Sequence, residues 1–178
     1  HNLAEFLTYL RSSHTFLSEP YISAISRVFG DLTLAMQYYY QLPTPLIHGD
    51  LTPFNIMVTS DETGQPDRVV LIDFGANHVL RERLGNRHMF AETFSRTETF
   101  MPPEVVRNKA PVSMKSDLFS IGMIGLELLS PKALTKELIG VRLREIWQNP
   151  ASVALAQLIE DLIDDEPRKR GLILGSTE

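Results

Sequence analysis

The spacing of apolar residues predicts that the chain opens with two helices. Residues 3–10 carry leucine and phenylalanine at intervals of one, three and four positions, which is the pattern of a short amphipathic helix. A second apolar face runs from Ile22 to Tyr39, and Ser18-Glu19-Pro20 before it supplies a capping residue and a first-turn proline. Pro43 and Pro45 end this long helix, because proline cannot continue it.

Two short apolar runs in the middle of the chain predict a β-hairpin. Ile56-Met57-Val58 and Val69-Val70-Leu71-Ile72 are separated by a polar connection that contains glycine and proline, as in paired strands. Pairing would bring Asn55 and Asp73 to the same end of the hairpin. The stretch from Ala76 to Phe100 lacks any such periodicity, which favours a functional or disordered loop.

The C-terminal half predicts three more helices. The residues after Asp117 are apolar on almost every side, as expected of a buried helix. Asp117 itself fits an N-cap at the start of that helix. Further apolar spacing predicts packing helices over residues 138–147 and 155–163, with Asn149-Pro150 as the break between them.

Composition excludes several classes of protein. With 178 residues, 43% hydrophobic and 22% charged, the chain has the size and balance of one globular domain. The net charge of −5 argues against a nucleic-acid partner, and no apolar run reaches the roughly 18 residues of a membrane span. The absence of cysteine excludes disulfides and thiolate catalysis. Because the chain begins with His1 and not methionine, we expect it to be part of a longer protein. We also expect a cytoplasmic location.

One loop and one strand end carry side chains suited to phosphoryl transfer. Asp50 and Asn55 lie in a loop that enters the first strand, and Asp73 follows the second strand. A hydroxyl nucleophile needs a carboxylate beside it, and a triphosphate needs hard oxygen ligands that hold Mg²⁺. Asp50 suits the first task, and Asn55 with Asp73 suits the second.

These residues resemble the catalytic half of a protein kinase. The first motif is His48-x-Asp50, separated by four residues from Asn55. The others, in family order, are Asp73-Phe74-Gly75, Met101-Pro102-Pro103-Glu104, Asp117-Leu118-Phe119-Ser120-Ile121-Gly122 and Glu166-Pro167-Arg168-Lys169-Arg170. The resemblance implies a mainly α fold over residues 1–178. This fold would be a kinase-like C-terminal lobe, a helical bundle whose short β-hairpin carries the catalytic and metal-binding loops.

The resemblance also implies cofactors and roles. ATP and Mg²⁺ would be bound, with Asp50 and Thr52 at the catalytic positions and Asn55 and Asp73 as metal ligands. Asp73 would also contact the nucleotide. The residues implied to be structural, or to belong to the activation segment, are His48, Phe74, Gly75, Thr97, Glu104, Asp117 and Arg170. Asp117 would anchor the catalytic loop, and Glu104 would pair with Arg170.

Two residues have both a nucleotide-binding and a structural interpretation. In the family alignment Asn2 faces the ribose, but a polar residue there equally suits a helix cap. Met57 would lie under the adenine ring, and it also suits the core beneath the site.

Two positions depart from the family pattern. Gly49 stands where many kinases carry arginine, so we expect activity without phosphorylation of Thr93, Ser95, Thr97 or Thr99. Thr52 stands where serine/threonine kinases carry lysine, and it cannot supply that charge.

The expected function is transfer of phosphate to a serine or threonine hydroxyl of a protein. The expected partners are that protein substrate and the N-terminal kinase lobe of the parent chain, without nucleic acid or membrane. A pseudokinase that acts as a binding module and a kinase of small-molecule hydroxyls are the alternatives, because Thr52 weakens the first reading and His48-Gly49-Asp50 also occurs in small-molecule kinases.

Overall fold

The computed structural model describes residues 1–74, 98–107, 110–150 and 152–171. Within these ranges the chain is mainly helical, with one two-stranded antiparallel sheet. The elements in chain order are α1 (Leu3–Ser13), α2 (Glu19–Tyr40), β1 (Ile56–Ser60), β2 (Pro66–Leu71), α3 (Pro103–Val106), α4 (Met114–Leu128), a 3-10 helix (Lys136–Leu138), α5 (Ile139–Gln148) and α6 (Val153–Leu162). The predicted fold class, a helical bundle with a short hairpin, is confirmed.

Helix α1 begins with a capping box. The Asn2 side chain accepts a hydrogen bond from the Glu5 amide at 2.9 Å, and the Glu5 carboxylate accepts one from the Asn2 amide at 3.2 Å. The helix runs three residues beyond the predicted end. Arg11 in its last turn donates to the carbonyl oxygens of Glu127 and Ser130 at 2.9 and 3.0 Å, so contacts with α4 hold a polar segment that hydrophobic periodicity does not detect.

Helix α2 starts at the predicted Ser18-Glu19-Pro20 and ends just before the two prolines. Ser18 is the N-cap, and the proline lies in the first turn, where its missing N–H costs nothing. The buried face of the helix includes Tyr21, Ile25, Val28, Leu32 and Met36. This face packs against β2 and α4, so α2 forms one wall of the core.

The hairpin pairs Ile56 with Leu71 and Met57 with Val70. Ile56 and Leu71 point into the core, whereas Val70 is 43% exposed on the opposite face. Both strands are longer than predicted, because polar residues continue the pairing to a tight turn over residues 61–65. Asp61 closes that turn by accepting the amides of Thr63 and Gln65 at 2.8 and 3.0 Å.

Helix α4 is buried on every side, as its sequence predicts, but it begins earlier than expected. Ser113 is the N-cap and forms a capping box with Ser116. The interpretation of Asp117 as the N-cap is therefore wrong, because Asp117 lies in the first turn of the helix. A Cβ atom at Gly122 would lie 2.5 Å from Cγ2 of Ile163, so α4 and α6 pack with their backbones close together.

The remaining helices complete the bundle. Helices α5 and α6 confirm the two predicted packing helices with end shifts of one or two residues. Helix α3 was not predicted; it is a single turn that starts at Pro103. Among the described residues, no helix combines the length and the apolar character needed to cross a bilayer.

Candidate active site

The loop that carries Asp50 is anchored to α4 by one buried carboxylate. The amides of His48 and Gly49 donate to Oδ2 and Oδ1 of Asp117 at 2.7 and 2.8 Å. Gly49 has φ +77°, a conformation that glycine adopts without a steric penalty. Burial raises the pKa of Asp117 to about 6, although the two amides and the Tyr40 hydroxyl act in the opposite direction. The anchoring contact expected from the family resemblance is present.

Asn55 is bound directly to Asp50. Its Nδ2 donates to the Asp50 carboxylate at 3.1 Å and to the Asp50 carbonyl oxygen at 2.9 Å. Because the amide nitrogen makes both bonds, the amide oxygen Oδ1 is the atom of this side chain that can bind a cation. The loop thus fixes the position of the predicted catalytic base relative to one predicted metal ligand.

Asp73 lies at the same end of the hairpin as Asn55. The Ile72 amide donates to the carbonyl oxygen of Asn55 at 3.0 Å, next to the Ile56–Leu71 pair. Asp73 has φ +61°, and among the described residues only Leu17 shares such a conformation without being glycine. Residues held in this region carry strain of roughly 1–3 kcal/mol, and such strain is concentrated at functional sites.

His48 joins the catalytic loop to the strand end. Its ring packs against the Phe74 ring at 4.5 Å between centroids. Nε2 lies 2.9 Å from the Ile72 carbonyl oxygen, and Nδ1 lies 3.3 Å from the Asp50 amide. These partners require a neutral ring protonated at Nε2, and burial lowers the pKa of His48 in agreement. The residue thus braces both loops.

Glu104 and Arg170 form an ion pair in which the guanidinium is buried. Both guanidinium ends bond the carboxylate, at 2.6 and 2.9 Å, and Arg170 is 1% exposed. Nε of Arg170 donates to the Asp164 carbonyl at 2.6 Å, and its guanidinium lies 4.8 Å from the Phe119 ring centroid. This pair connects the Met101-Pro102-Pro103-Glu104 segment to the C-terminal end of the described chain.

A small cavity of about 10 Å³ separates the catalytic loop from the segment that follows residue 97. Asp50 and Thr52 line it on one side and Met101 and Pro102 on the other. Thr52 is buried at 4% exposure, beside Asp50. The cavity places the predicted base next to the Met101-Pro102-Pro103-Glu104 segment.

Asn2 and Met57 are neighbours. Asn2 caps α1, which bears out the structural interpretation, and it also forms an antiparallel bridge with Met57 on the outer edge of β1. Their proposed contacts with ribose and adenine stay predictions. Gly75 and Thr97, together with Thr93 and Ser95, lie outside the described residues.

The donor set at the end of the hairpin fits Mg²⁺. The carboxylate of Asp73 and the amide oxygen of Asn55 are the hard oxygen ligands that this cation prefers. In the described ranges, no three His, Cys, Asp or Glu side chains form a metal-binding group. Magnesium held by one or two protein ligands together with substrate phosphates does not require such a group.

Sequence reasoning missed two residues beside the loop. Tyr40 ends α2, and its hydroxyl donates to the Met114 carbonyl oxygen at 3.4 Å. Val112 lies beside Gly49, because a Cβ atom built on Gly49 would be 3.1 Å from Cγ2 of Val112. Neither belongs to a recognisable motif. The sequence offered one signal for them: Tyr40 lies just before the loop, and Val112 lies just before the cap of α4.

Comparison with known proteins identifies related sequences. The protein kinase domain family matches residues 2–173. The 3-phosphoinositide-dependent protein kinase 1 of Arabidopsis thaliana is 32% identical over 149 residues, which cover 76% of this chain and 29% of that protein. The human ankyrin repeat and protein kinase domain-containing protein 1 is 25% identical over 168 residues, 85% of this chain and 21% of that protein.

A third relative extends the comparison. The mouse serine/threonine-protein kinase Nek9 is 27% identical over 135 residues, 70% of this chain and 13% of that protein. The chain therefore spans between 13% and 29% of the lengths of these three relatives. Since the family match covers nearly all of the sequence, the chain belongs to the protein kinase family.

Proposed function

We propose that the protein carrying this chain transfers the γ-phosphoryl group of ATP to a serine or threonine hydroxyl of a protein substrate. The observation that carries the proposal is the hydrogen bond from Asn55 to the Asp50 carboxylate at 3.1 Å. It joins the residue proposed as base to a residue proposed as metal ligand in one rigid loop. Bound Mg²⁺ would bridge the phosphates and neutralise developing charge.

Asp50 would orient the acceptor hydroxyl and finally take its proton. A positioned general base contributes roughly 10²- to 10⁴-fold to the rate. The Asn55 side chain donates to the Asp50 carboxylate at 3.1 Å, and the Asp50 amide donates to Nδ1 of His48 at 3.3 Å. Asn55 and Asp73 would hold the metal, and strain at Asp73 is consistent with a functional requirement.

The segment after residue 97 supports a protein substrate. Met101 and Pro102 line the same cavity as Asp50 and Thr52, so a polypeptide lying on this segment would reach the proposed base. The name of one relative, serine/threonine-protein kinase Nek9, supports a serine or threonine acceptor.

The nucleotide would lie on the outward face of the hairpin, against Met57 and near Asn2. An N-terminal lobe of the parent chain would cover it and clamp its phosphates. The exposed Val70 beside Met57 supports a covered apolar surface there.

Thr52 favours a second candidate function, that of a pseudokinase. Without a lysine at that position the transferred phosphate loses one cationic contact, which favours a pseudokinase that binds without transfer. His48-Gly49-Asp50 favours a third candidate, a kinase of small alcohols.

One experiment separates these functions. Full-length protein would be incubated with labelled ATP and either a protein mixture or small alcohols, as wild type and with Asp50→Asn or Asp73→Asn. Asp61→Asn is the matched control, because Asp61 is an exposed aspartate in the turn at the opposite end of the hairpin. The proposal is supported if wild type and Asp61→Asn transfer label to protein and both Asp50→Asn and Asp73→Asn do not. Label in alcohols alone, or no label at all, contradicts it.

A further inference from the structure

A buried serine of α4 holds the backbone of the segment that lies opposite Asp50. The Ser120 hydroxyl donates to the Phe100 carbonyl oxygen at 2.8 Å, across 20 residues of sequence. The same hydroxyl lies 3.1 Å from the Ser116 carbonyl oxygen, one turn earlier on its own helix. Ser120 is 6% exposed and Phe100 is 5% exposed, so water competes little for the bond between α4 and the segment.

The residues after Phe100 explain why a side chain supplies this donor. A turn on the Phe100 carbonyl would be closed by the amide of residue 102 or residue 103. Both are prolines, which have no N–H, and a buried carbonyl oxygen without a donor is costly. Ser120 provides a donor from another element, while the Phe100 side chain packs in the core. Phe100 is therefore fixed both by its side chain and by its carbonyl group.

We propose that Ser120 is a positioning residue for the acceptor polypeptide, acting through Phe100 on the two residues that follow it. This inference rests on the proposed function. Those two residues, Met101 and Pro102, line the small cavity opposite Asp50. Ser120 lines the same cavity, and its bond to the Phe100 carbonyl sets how far this part of the segment lies from the proposed base.

Two ion pairs attach the flanks of the same segment. Lys136 Nζ lies 2.8 Å from Glu98 Oε2 on the N-terminal side, and Arg170 bonds Glu104 on the C-terminal side. The Lys136 side chain is 47% exposed, so solvent and salt weaken the first pair. The Ser120 bond joins uncharged groups in a buried place, where salt does not screen it. It therefore determines the position of the middle of the segment.

The first test measures local opening and needs no activity. Hydrogen–deuterium exchange of the full-length protein would be followed by mass spectrometry for wild type, Ser120→Ala and Ser130→Ala. Ser130 is the matched control, because it is a buried serine whose hydroxyl donates to the Leu126 carbonyl oxygen at 2.7 Å, only four residues earlier. The readout is the exchange rate of the amides of residues 99–101, with residues 25–36 of α2 as an internal reference.

Ser120→Ala should speed exchange over residues 99–101 about fivefold and leave α2 unchanged, since loss of one hydrogen bond makes local opening easier. Ser120→Cys, which keeps a weak donor of similar size, should fall between wild type and Ser120→Ala. Ser130→Ala should leave residues 99–101 at the wild-type rate. The proposal is overturned if Ser120→Ala leaves that rate unchanged, if it speeds exchange in α2 as much, or if Ser130→Ala has the same effect.

The second test measures transfer to an equimolar library of serine and threonine peptides. Ser120→Ala should raise the apparent KM for the peptides about fivefold, with little change in the KM for ATP, because the displaced segment would contact the acceptor and not the nucleotide. Ser130→Ala should leave both KM values unchanged. An unchanged KM for the peptides, or an equal rise in the KM for ATP, refutes the role of Ser120. If wild type labels no peptide, the proposed function fails, whereas the exchange rates still decide whether Ser120 holds the segment.

Discussion

The guanidinium of Arg170 donates a hydrogen bond to each carboxylate oxygen of Glu104, at 2.6 and 2.9 Å, although the two residues are 66 positions apart in the sequence. The guanidinium is fully desolvated, and the remaining donors bond the carbonyl oxygens of Lys115 and Asp164. The C-terminal end of the described chain is therefore fastened to the segment that leads to the site.

Glu104→Gln should lower the free energy of unfolding by roughly 3–5 kcal/mol, because it leaves a buried guanidinium without a counter-charge. Denaturant titration of the full-length protein measures this loss. Arg170→Met should cost a similar amount, and the double variant should cost less than the sum of both. Strictly additive losses would show that the two side chains do not depend on each other.

Gly49→Ala should destabilise the fold by roughly 1–2 kcal/mol, because a residue with a Cβ resists the left-handed conformation. The new methyl would also press on Val112, 3.1 Å away. Gly30→Ala is the matched control: it lies in α2 with open space around it and should stabilise by roughly 0.5–1 kcal/mol. Adding Val112→Ala should recover part of the loss at Gly49, and thermal unfolding compares all of these variants.

Asp117 should make stability depend on pH. Its pKa rises from 3.8 to about 6 on folding, so the folded state binds its proton more tightly than the unfolded state does. The contribution of Asp117 is fully present below pH 4 and is lost as pH rises through 6, a difference of roughly 3 kcal/mol. Asp117→Asn should remove this component, so that wild type gains stability relative to the variant between pH 7.5 and pH 4.5.

An exposed aspartate supplies the control of opposite sign. The hydroxyl of Thr63 lowers the pKa of Asp61, so its contribution is present at neutral pH and lost on acidification. Because the range from pH 7.5 to pH 4.5 lies above the pKa of Asp61, Asp61→Asn should leave the same comparison nearly unchanged. Equal behaviour of the two variants in denaturant titrations would contradict the assignment at Asp117.

Asn55→Ala should raise the Mg²⁺ concentration needed for half-maximal transfer and lower kcat at saturating metal, because it removes the proposed ligand and the hydrogen bond to the Asp50 carboxylate. A magnesium titration with labelled ATP measures both effects. Asn55→Asp retains an oxygen ligand but places a second carboxylate against Asp50, so it should recover metal binding more than kcat. Unchanged metal dependence in both variants would exclude Asn55 as a ligand.

The sequence was sufficient for the parts of the fold that repeat a local pattern. Helix α2, the hairpin and the buried α4 follow from hydrophobic spacing, and pairing of the strands places Asn55 and Asp73 at the same end of the hairpin. The start of α4 was placed too late, since Ser113 caps it and Asp117 serves the catalytic loop instead. Local propensity cannot distinguish a carboxylate that caps its own helix from one that accepts amides of a distant loop.

Hydrophobic periodicity could not predict contacts between side chains that are distant in the sequence. Arg11 extends α1 by bonding the end of α4, and the Tyr40 hydroxyl donates from α2 to the Met114 carbonyl oxygen at the start of α4. Both depend on the angle at which two helices cross, which the residues of either helix alone do not specify. Motif resemblance supplied Glu104 and Arg170 as a pair, but no motif contains Tyr40.

The imidazole of His48 touches both the loop of Asp50 and the end of the strand before Asp73, whereas the connection over residues 61–65 lies at the far end of the same hairpin. The spacing between the proposed base and the proposed metal ligand is therefore set locally and does not depend on how long that connection is. Insertions at the tip should be tolerated there, which makes it a suitable place to attach a tag or a fluorescent reporter without disturbing the opposite end.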